Sequence, residues 1–154
     1  MKVQFGTPDM IEDWMELVTL VRWNFPGLET RAALEEHRET VLRFMSQHRA
    51  LCVVCGGKIA GVLLFSVKHN MICCLAVHPD YRRQGIGTAL LQKALDSLDS
   101  ARPVTVTTFR EEDEMGAAPR ALYRRFGFRE GKLFEELGYP AQEFVLQPGE
   151  RFRN

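Results

Sequence analysis

Hydrophobic and polar positions alternate and recur along the chain in a way that assigns most of its elements. Val3 and Phe5 alternate with polar neighbours, the period of a strand. Ile11, Trp14, Val18 and Val21 then recur at helical spacing behind Thr7-Pro8-Asp9, where Thr7 is expected to cap and Pro8 to take the first helical position. Asn24-Phe25-Pro26-Gly27 breaks that helix. A second helix is predicted from about Arg31 to His48, with Leu34, Val41, Phe44 and Met45 on its apolar face. The period then changes to two. Leu51–Cys55 and Ile59–Val67 are strand-like runs joined by Gly56-Gly57, a hairpin signal. Met71–Val77 is continuously apolar, as expected of a strand buried on both faces.

Beyond His78-Pro79-Asp80 a Gly-rich segment leads into a third helix, with Ala89, Leu90, Ala94, Leu95 and Leu98 on one side. Val104–Thr108 alternates as a further strand, and residues 110–118 form a polar, acidic loop. Pro119–Phe126 is predicted as a short helix stopped by Gly127. Phe128–Leu133 and Gln142–Leu146 complete the sheet. The order β-α-α-β-β-β-α-β-α-β-β is that of an α/β chain, a mixed sheet of about seven strands flanked by about four helices. Residues 1–146 are expected to form a single domain and 147–154 a loose tail, with no linker or repeat between.

Length and charge narrow the partners. A chain of 154 residues fits one domain with a core that needs no staples. Lys+Arg and Asp+Glu are 20 each, so there is no basic excess of the kind that binds nucleic acid or an acidic membrane, and neither partner is expected. The longest apolar runs span seven residues, far short of the ~20 of a spanning helix. MKVQFGTPDM lacks the apolar stretch of a signal peptide, so a cytoplasmic location is expected. Cys52, Cys55, Cys73 and Cys74 are then expected as buried free thiols, and their spacing matches no common zinc site, so no metal is expected.

The chemistry concentrates in Leu75-Ala76-Val77-His78-Pro79-Asp80-Tyr81-Arg82-Arg83-Gln84-Gly85-Ile86-Gly87-Thr88. A buried strand ends, two glycines follow at i and i+2, and a helix begins. Glycines let a ligand approach the backbone closely, and the free N–H groups of a helix start suit a phosphate or pyrophosphate. Thr88 adds a hydroxyl, and Arg82 and Arg83 add charge. Two common phosphate motifs do not fit. A P-loop needs Lys-Ser/Thr after its second glycine, and a Rossmann fingerprint needs Gly or Ala where Leu90 stands.

Val77-His78-Pro79-Asp80-Tyr81-Arg82-Arg83-Gln84-Gly85-Ile86-Gly87 resembles the acyl-CoA signature Q/R-x-x-G-x-G/A of the GNAT superfamily of N-acetyltransferases. Arg82, Gly85 and Gly87 fill its specified places. Ala121-Leu122-Tyr123-Arg124-Arg125-Phe126-Gly127-Phe128 is similar to the family's later motif, a helix carrying Tyr and ending in Gly-Phe. The resemblance covers about residues 1–146. It implies a mostly antiparallel sheet, splayed between the fourth and fifth strands into a V-shaped cleft. Pantetheine of acetyl-CoA would bond the backbone of Leu75 and Val77, with Ala76 between them. The pyrophosphate would sit on the N–H groups of Arg83, Gln84, Gly85, Ile86, Gly87 and Thr88, with Arg82 or Arg83 reaching the nucleotide.

The same resemblance implies direct attack of an amine on the thioester, with Tyr123 as proton donor to the departing thiolate. A phenol with a pKa of about 10 is protonated at neutral pH. Against a thiol of ~8.5, full transfer is uphill by ~1.5 units, about 2 kcal/mol, so Tyr123 acts by hydrogen bonding as much as by protonation. Relatives often carry a glutamate on the fourth strand as base, whereas Met71–Val77 has no carboxylate. Glu111, Glu112, Asp113 and Glu114 are candidates, as are His69 and His78 flanking the strand. Relatives also often show Asn and Ala where this chain has Gly116 and Pro119, which suggests a helix that begins late. The acceptor is expected between Trp23, Phe25 and Pro26 on one wall and a loop holding Glu135, Glu136 and Tyr139 on the other, with Glu111 nearby. These acidic residues favour a cationic amine, either a small molecule or a peptide terminus. A homodimer is compatible with the sequence. The alternative reading is a non-catalytic acyl-CoA sensor on the same fold.

Overall fold

The structure is a computed structural model that describes residues 1–25 and 27–150; Pro26, expected in a pocket wall, and residues 151–154 lie outside them. Seven strands, β1 (Val3–Phe5), β2 (Ala50–Cys55), β3 (Lys58–Ser66), β4 (Met71–Val77), β5 (Val104–Phe109), β6 (Arg129–Glu136) and β7 (Tyr139–Leu146), form one sheet in the order β1-β2-β3-β4-β5-β7-β6. Four α-helices accompany them: α1 (Ile11–Leu20), α2 (Arg31–Ser46), α3 (Ile86–Ser97) and α4 (Ala117–Arg125). Neighbouring strands are antiparallel except β4 and β5, which are parallel.

The period-two pattern of the central strands gives the sheet two apolar faces. Leu51, Val53, Leu63, Phe65, Val106 and Phe144 pack with Leu90, Leu91 and Leu95 of α3 and Tyr123 of α4. Ala50, Cys52, Val62, Leu64, Cys74 and Ala76 pack with Trp14 and Val18 of α1 and Val41 and Met45 of α2. Gly61 allows the close approach of α3, because a Cβ there would come within 2.5 Å of Ile86 Cγ2.

Five local expectations change. Thr7 does not cap α1: its hydroxyl bonds Asp9, and a 3₁₀ turn, Pro8–Met10, comes before the helix. β4 is not buried on both faces; Ile72, Cys74 and Ala76 are buried whereas Met71, Leu75 and Val77 are only partly so and Cys73 is exposed. β3, flanked by β2 and β4, is the strand with a continuous buried run, from Ile59 to Phe65. Helix α4 begins at Ala117, before Pro119, whose missing N–H falls in the first turn where no partner is needed. The loop expected around Glu135–Tyr139 is a tight β6–β7 hairpin: Leu137 and Gly138 turn it at φ of +52° and +79°. That conformation suits Gly but rarely Leu, so Leu-Gly gave no hairpin signal. Of the eight expected tail residues, the first four turn back onto the fold, with Arg129 Nε 2.7 Å from Glu150 Oε2.

Asn70 fastens the closed end of the β4–β5 pair. It is 1% exposed. Its Nδ2 donates to the carbonyls of Asp99 (3.0 Å), Arg102 (3.3 Å) and Pro103 (3.0 Å), and its Oδ1 accepts the Asp99 N–H at 2.8 Å. Its φ of +51° is a conformation that Asn tolerates better than Ala. Asn70→Ala should therefore cost roughly 2–4 kcal/mol, the sum of orphaned groups and backbone strain. Denaturant unfolding measures this, and an unchanged midpoint would mean that segment 99–103 holds itself.

Candidate active site

β4 and β5 pair only at Met71 with Thr105 and Ile72 with Val106. The register of β4 against β3 shifts next to that point, between Leu64 and Phe65, leaving Cys73 without a partner in a bulge. A bulge bends its strand, and beyond it β4 has no hydrogen-bonded neighbour on the β5 side. The ladder then says which groups are left over. His78 N–H donates to Ala60 O at 2.8 Å. Main-chain groups alternate sides along an antiparallel ladder, so Ala76 bonds Val62 of β3 while the groups of Leu75 and Val77 point toward the departed β5. Ala76, grouped with these two in the sequence reading, turns its backbone to β3 and buries its side chain against the α1 face.

The next segment prepares a second set of donors. His78 Nδ1 accepts the Asp80 N–H at 3.1 Å, and its ring meets Tyr81 edge-on at 5.4 Å, so this histidine serves the turn. Arg83 and Gly85 adopt φ of +63° and +79°. Such a winding gathers consecutive N–H groups into an anion-binding concavity. The first bond of the new helix is Ala89 N–H to Gly85 O at 3.0 Å. Among the described residues the N–H groups from Arg82 to Thr88 have no main-chain acceptor. Gln84 and Thr88 are exposed, and Ile86 is buried under the helix. Arg125, from the last turn of α4, reaches Thr88 Oγ1 with Nη2 at 3.3 Å. It adds a guanidinium that the sequence reading did not assign. Arg82 lies over the Trp23 ring at 5.8 Å, which ties this loop to the wall beyond α1.

Tyr123 is 4% exposed, with its ring against Phe128 (5.6 Å) and Phe144 (6.2 Å). Burial, and after it the neighbouring Cys74, raises its pKa above the usual phenol range. It is therefore a neutral donor, and full proton transfer from it to a thiolate is further uphill than for a free phenol. One turn earlier on α4, Arg120 is 3% exposed. Its Nη1 donates to Phe109 O (2.9 Å) and Gln142 Oε1 (2.7 Å), and its Nη2 pairs with Glu130 at 2.8 Å. It also lies over the Phe144 ring at 4.8 Å. A single buried cation thus fastens the Tyr123 helix to β5, β6 and β7.

At the open end lies a pocket of about 510 Å³, lined by Leu20, Arg22, Trp23, Phe25, Glu29 and Tyr139 among others. Trp23 touches the loop after β4 through Arg82, and Tyr139 meets Phe109 at the end of β5 edge-on at 5.8 Å. Two of its lining residues thus touch the segment after β4 and the end of β5, the side of a parallel pair on which ligands usually bind. Trp23, Phe25 and Tyr139 share this lining. Glu111 is exposed in the turn after β5 and is not part of this lining; Glu29 is the acidic residue of the lining, and Asp113 reaches the pocket through Tyr139. His69 stands at the closed end of the V, in the turn before Met71, away from the cleft.

The cysteines are free; Cys52 and Cys74 are buried, Cys55 is half-buried and Cys73 is exposed, so burial holds for two of the four. Burial pushes the Cys74 thiol up to about 12, which leaves it neutral and inert at pH 7. No metal-binding cluster and no helix able to cross a membrane occur among the described residues.

The model of the GNAT acetyltransferase domain matches residues 46–130, more than half of the chain. The chain belongs to the GNAT family. The matched span runs from the end of α2 to the start of β6 and contains both the Arg82–Thr88 loop and Tyr123. The chain is 41% identical over 59 residues to the [ribosomal protein bS18]-alanine N-acetyltransferase of Escherichia coli K12, 38% of each chain. It is 36% identical over 95 residues to UPF0157 protein YqkA of Bacillus subtilis, covering 60% of this chain and 26% of that one. It therefore spans well under half the length of these curated relatives. The PaiA N-acetyltransferase of Thermoplasma acidophilum, solved in complex with coenzyme A, superposes with a TM-score of 0.68 over 92% of this chain and 96% of that one. At 14% identity this GNAT structure speaks for the fold.

Proposed function

We propose that the chain is an acetyl-CoA-dependent N-acetyltransferase acting on a primary amine. The observation that carries the proposal is the parting of β4 from β5, which leaves the main chain of Leu75 and Val77 unpaired beside a run of free N–H groups. Pantetheine is an extended chain with two amides. Against Leu75 and Val77 it would replace the missing β5 partner, bond for bond. The pyrophosphate would take the Arg83–Thr88 concavity, with Arg82, Arg83 and Arg125 adding charge.

The amine would enter from the pocket of Trp23, Phe25 and Tyr139 and attack the thioester carbonyl. A carbon–nitrogen bond forms, the carbon–sulfur bond breaks, and the nitrogen loses its proton to water. A main-chain N–H near Val77 would face the carbonyl oxygen as charge develops on it. Tyr123 donates its hydrogen bond to the leaving sulfur; its depth keeps that donor protonated and dry. The relative that modifies a ribosomal-protein alanine supports a peptide amine as one acceptor class.

Acetyl-CoA at about 100 times its Kd should stabilise the native chain by about 2.7 kcal/mol, a Tm rise of roughly 5–10 °C. Gly87→Leu should abolish the rise: a Cβ at Gly87 already meets Leu122 Cδ2 at 3.2 Å, and a larger side chain has to occupy the cradle. No shift in the unmodified chain at millimolar acetyl-CoA would end the proposal. A shift with no thiol release across a panel of amines would identify a CoA-binding protein without catalysis.

A further inference from the structure

We infer that Tyr139, held by Asp113, is the side chain that reads the acceptor, and that the acceptor is a primary ammonium carried on an apolar body. This rests on the acetyl-transfer reading above and names the substrate class of its second pocket. Tyr139 is the first residue of β7, 37% exposed, and lines the pocket. Its ring is fixed edge-on to Phe109 at an interplanar angle of 80°. Its proton is already committed, because the hydroxyl donates to Asp113 Oδ2 at 2.5 Å. That length belongs to the short bonds between a hydroxyl and a carboxylate. Asp113 is held in turn: its Oδ1 accepts the Met115 N–H at 3.0 Å, at the head of the 3₁₀ turn Glu114–Gly116.

A phenol whose proton is spoken for offers a ligand only its oxygen lone pairs. It accepts from an N–H and has no donor left for a carbonyl or a carboxylate. The carboxylate behind it strengthens that acceptor and favours a cation over a neutral ligand. The same bond holds the Tyr139 proton above the usual phenol range, so the hydroxyl does not ionise. Glu29 places a carboxylate in the lining itself, beside the cation Arg22. Leu20, Trp23 and Phe25 supply apolar surface, and a volume of about 510 Å³ suits one small ligand or the end of a peptide. A primary ammonium has three protons, so one can leave to water while another stays on Tyr139.

Phenethylamine is the probe, followed by thiol release from acetyl-CoA on the full chain. Tyr139→Phe should raise KM for phenethylamine roughly 10–100-fold, the loss of a hydrogen bond to a charged group, with KM for acetyl-CoA little changed. Asp113→Asn keeps an oxygen for the Met115 N–H but turns an NH₂ toward Tyr139, occupying its lone pairs, so KM for the amine should rise similarly. The double variant should be no worse than the worse single one, because the two residues act as a unit. Phenethyl alcohol, the same body without the charge, should compete at least about tenfold more weakly than phenethylamine binds. An amine KM within about twofold of the parent in Tyr139→Phe overturns the inference, as does equal competition by the alcohol. A Tm rise with acetyl-CoA but no thiol release with phenethylamine overturns this substrate class and leaves the CoA site standing. Absence of the Tm rise overturns both.

Discussion

Tyr123→Phe is expected to lower kcat roughly 10–300-fold while KM for acetyl-CoA changes little. The substitution keeps the ring, which meets Phe128 and Phe144 within a buried cluster, so the helix and the cleft should survive. In the proposed mechanism the lost hydroxyl would act as negative charge grows on sulfur, a charge that bound acetyl-CoA does not carry. General acids contribute about 10²–10⁴-fold, but the effect here should lie toward the low end. Burial raises the Tyr123 pKa, so hydrogen bonding carries more of its action than proton transfer, and main-chain donors on β4 remain. Pre-steady-state kinetics would separate chemistry from product release. An unchanged kcat with chemistry rate-limiting would remove Tyr123 from the mechanism, and a loss confined to CoA affinity would reduce it to a packing residue.

Arg120→Ala is expected to be severely destabilising, at roughly 3–5 kcal/mol. It would strand Phe109 O and Gln142 Oε1, both now satisfied by one buried nitrogen, at about 1–3 kcal/mol each. The contact with Phe144 is lost as well. Glu130 contributes little to this cost, since it is partly exposed and keeps Arg124 as a partner. Against a typical total of about 5–15 kcal/mol, such a loss would lower Tm by roughly 10 °C. Adding Gln142→Leu should recover part of it by removing one orphaned acceptor. A loss below about 1 kcal/mol would show that α4 is held by its apolar face alone.

Two further residues matter through what they connect. Trp23 carries Arg82, so the acceptor wall and the phosphate loop share a contact although 59 positions of sequence separate them. Arg125 joins α4 to the first turn of α3 through Thr88. Arg82 is marked by its place in the glycine motif, whereas nothing in the neighbours of Arg125 distinguishes it from a solvated arginine. Only the packing of α4 beside α3 brings Arg125 to Thr88, and only that of the α1 end beside the β4 loop gives Arg82 its contact with Trp23.

The order and type of all seven strands and four helices could be read from the chain, because period two and period 3.6 are local properties that survive into the fold. The Arg82–Thr88 loop and Tyr123 could be read for a related reason. A turn that must wind through a left-handed conformation needs glycine at a fixed place, and the helix that follows needs its apolar stripe, so the constraint is written in consecutive residues. What stayed hidden depends on residues far apart. Whether an apolar strand is covered on both faces depends on its neighbours, which is why β3 rather than β4 carries the continuous buried run, Ile59 to Phe65. The cleft exists because β5 leaves β4 after two residue pairs, and no property of either strand alone sets that length. Arg120 and Asp113 look like ordinary charged residues until the sheet brings Gln142 and Tyr139 to meet them. The sequence by itself determined the elements and the glycine-marked loop, through local periodicity and backbone freedom; the tertiary structure decided which of the residues expected around the second pocket meet, joining Trp23, Phe25 and Tyr139 but not Glu111, because that lining comes from segments more than 100 residues apart.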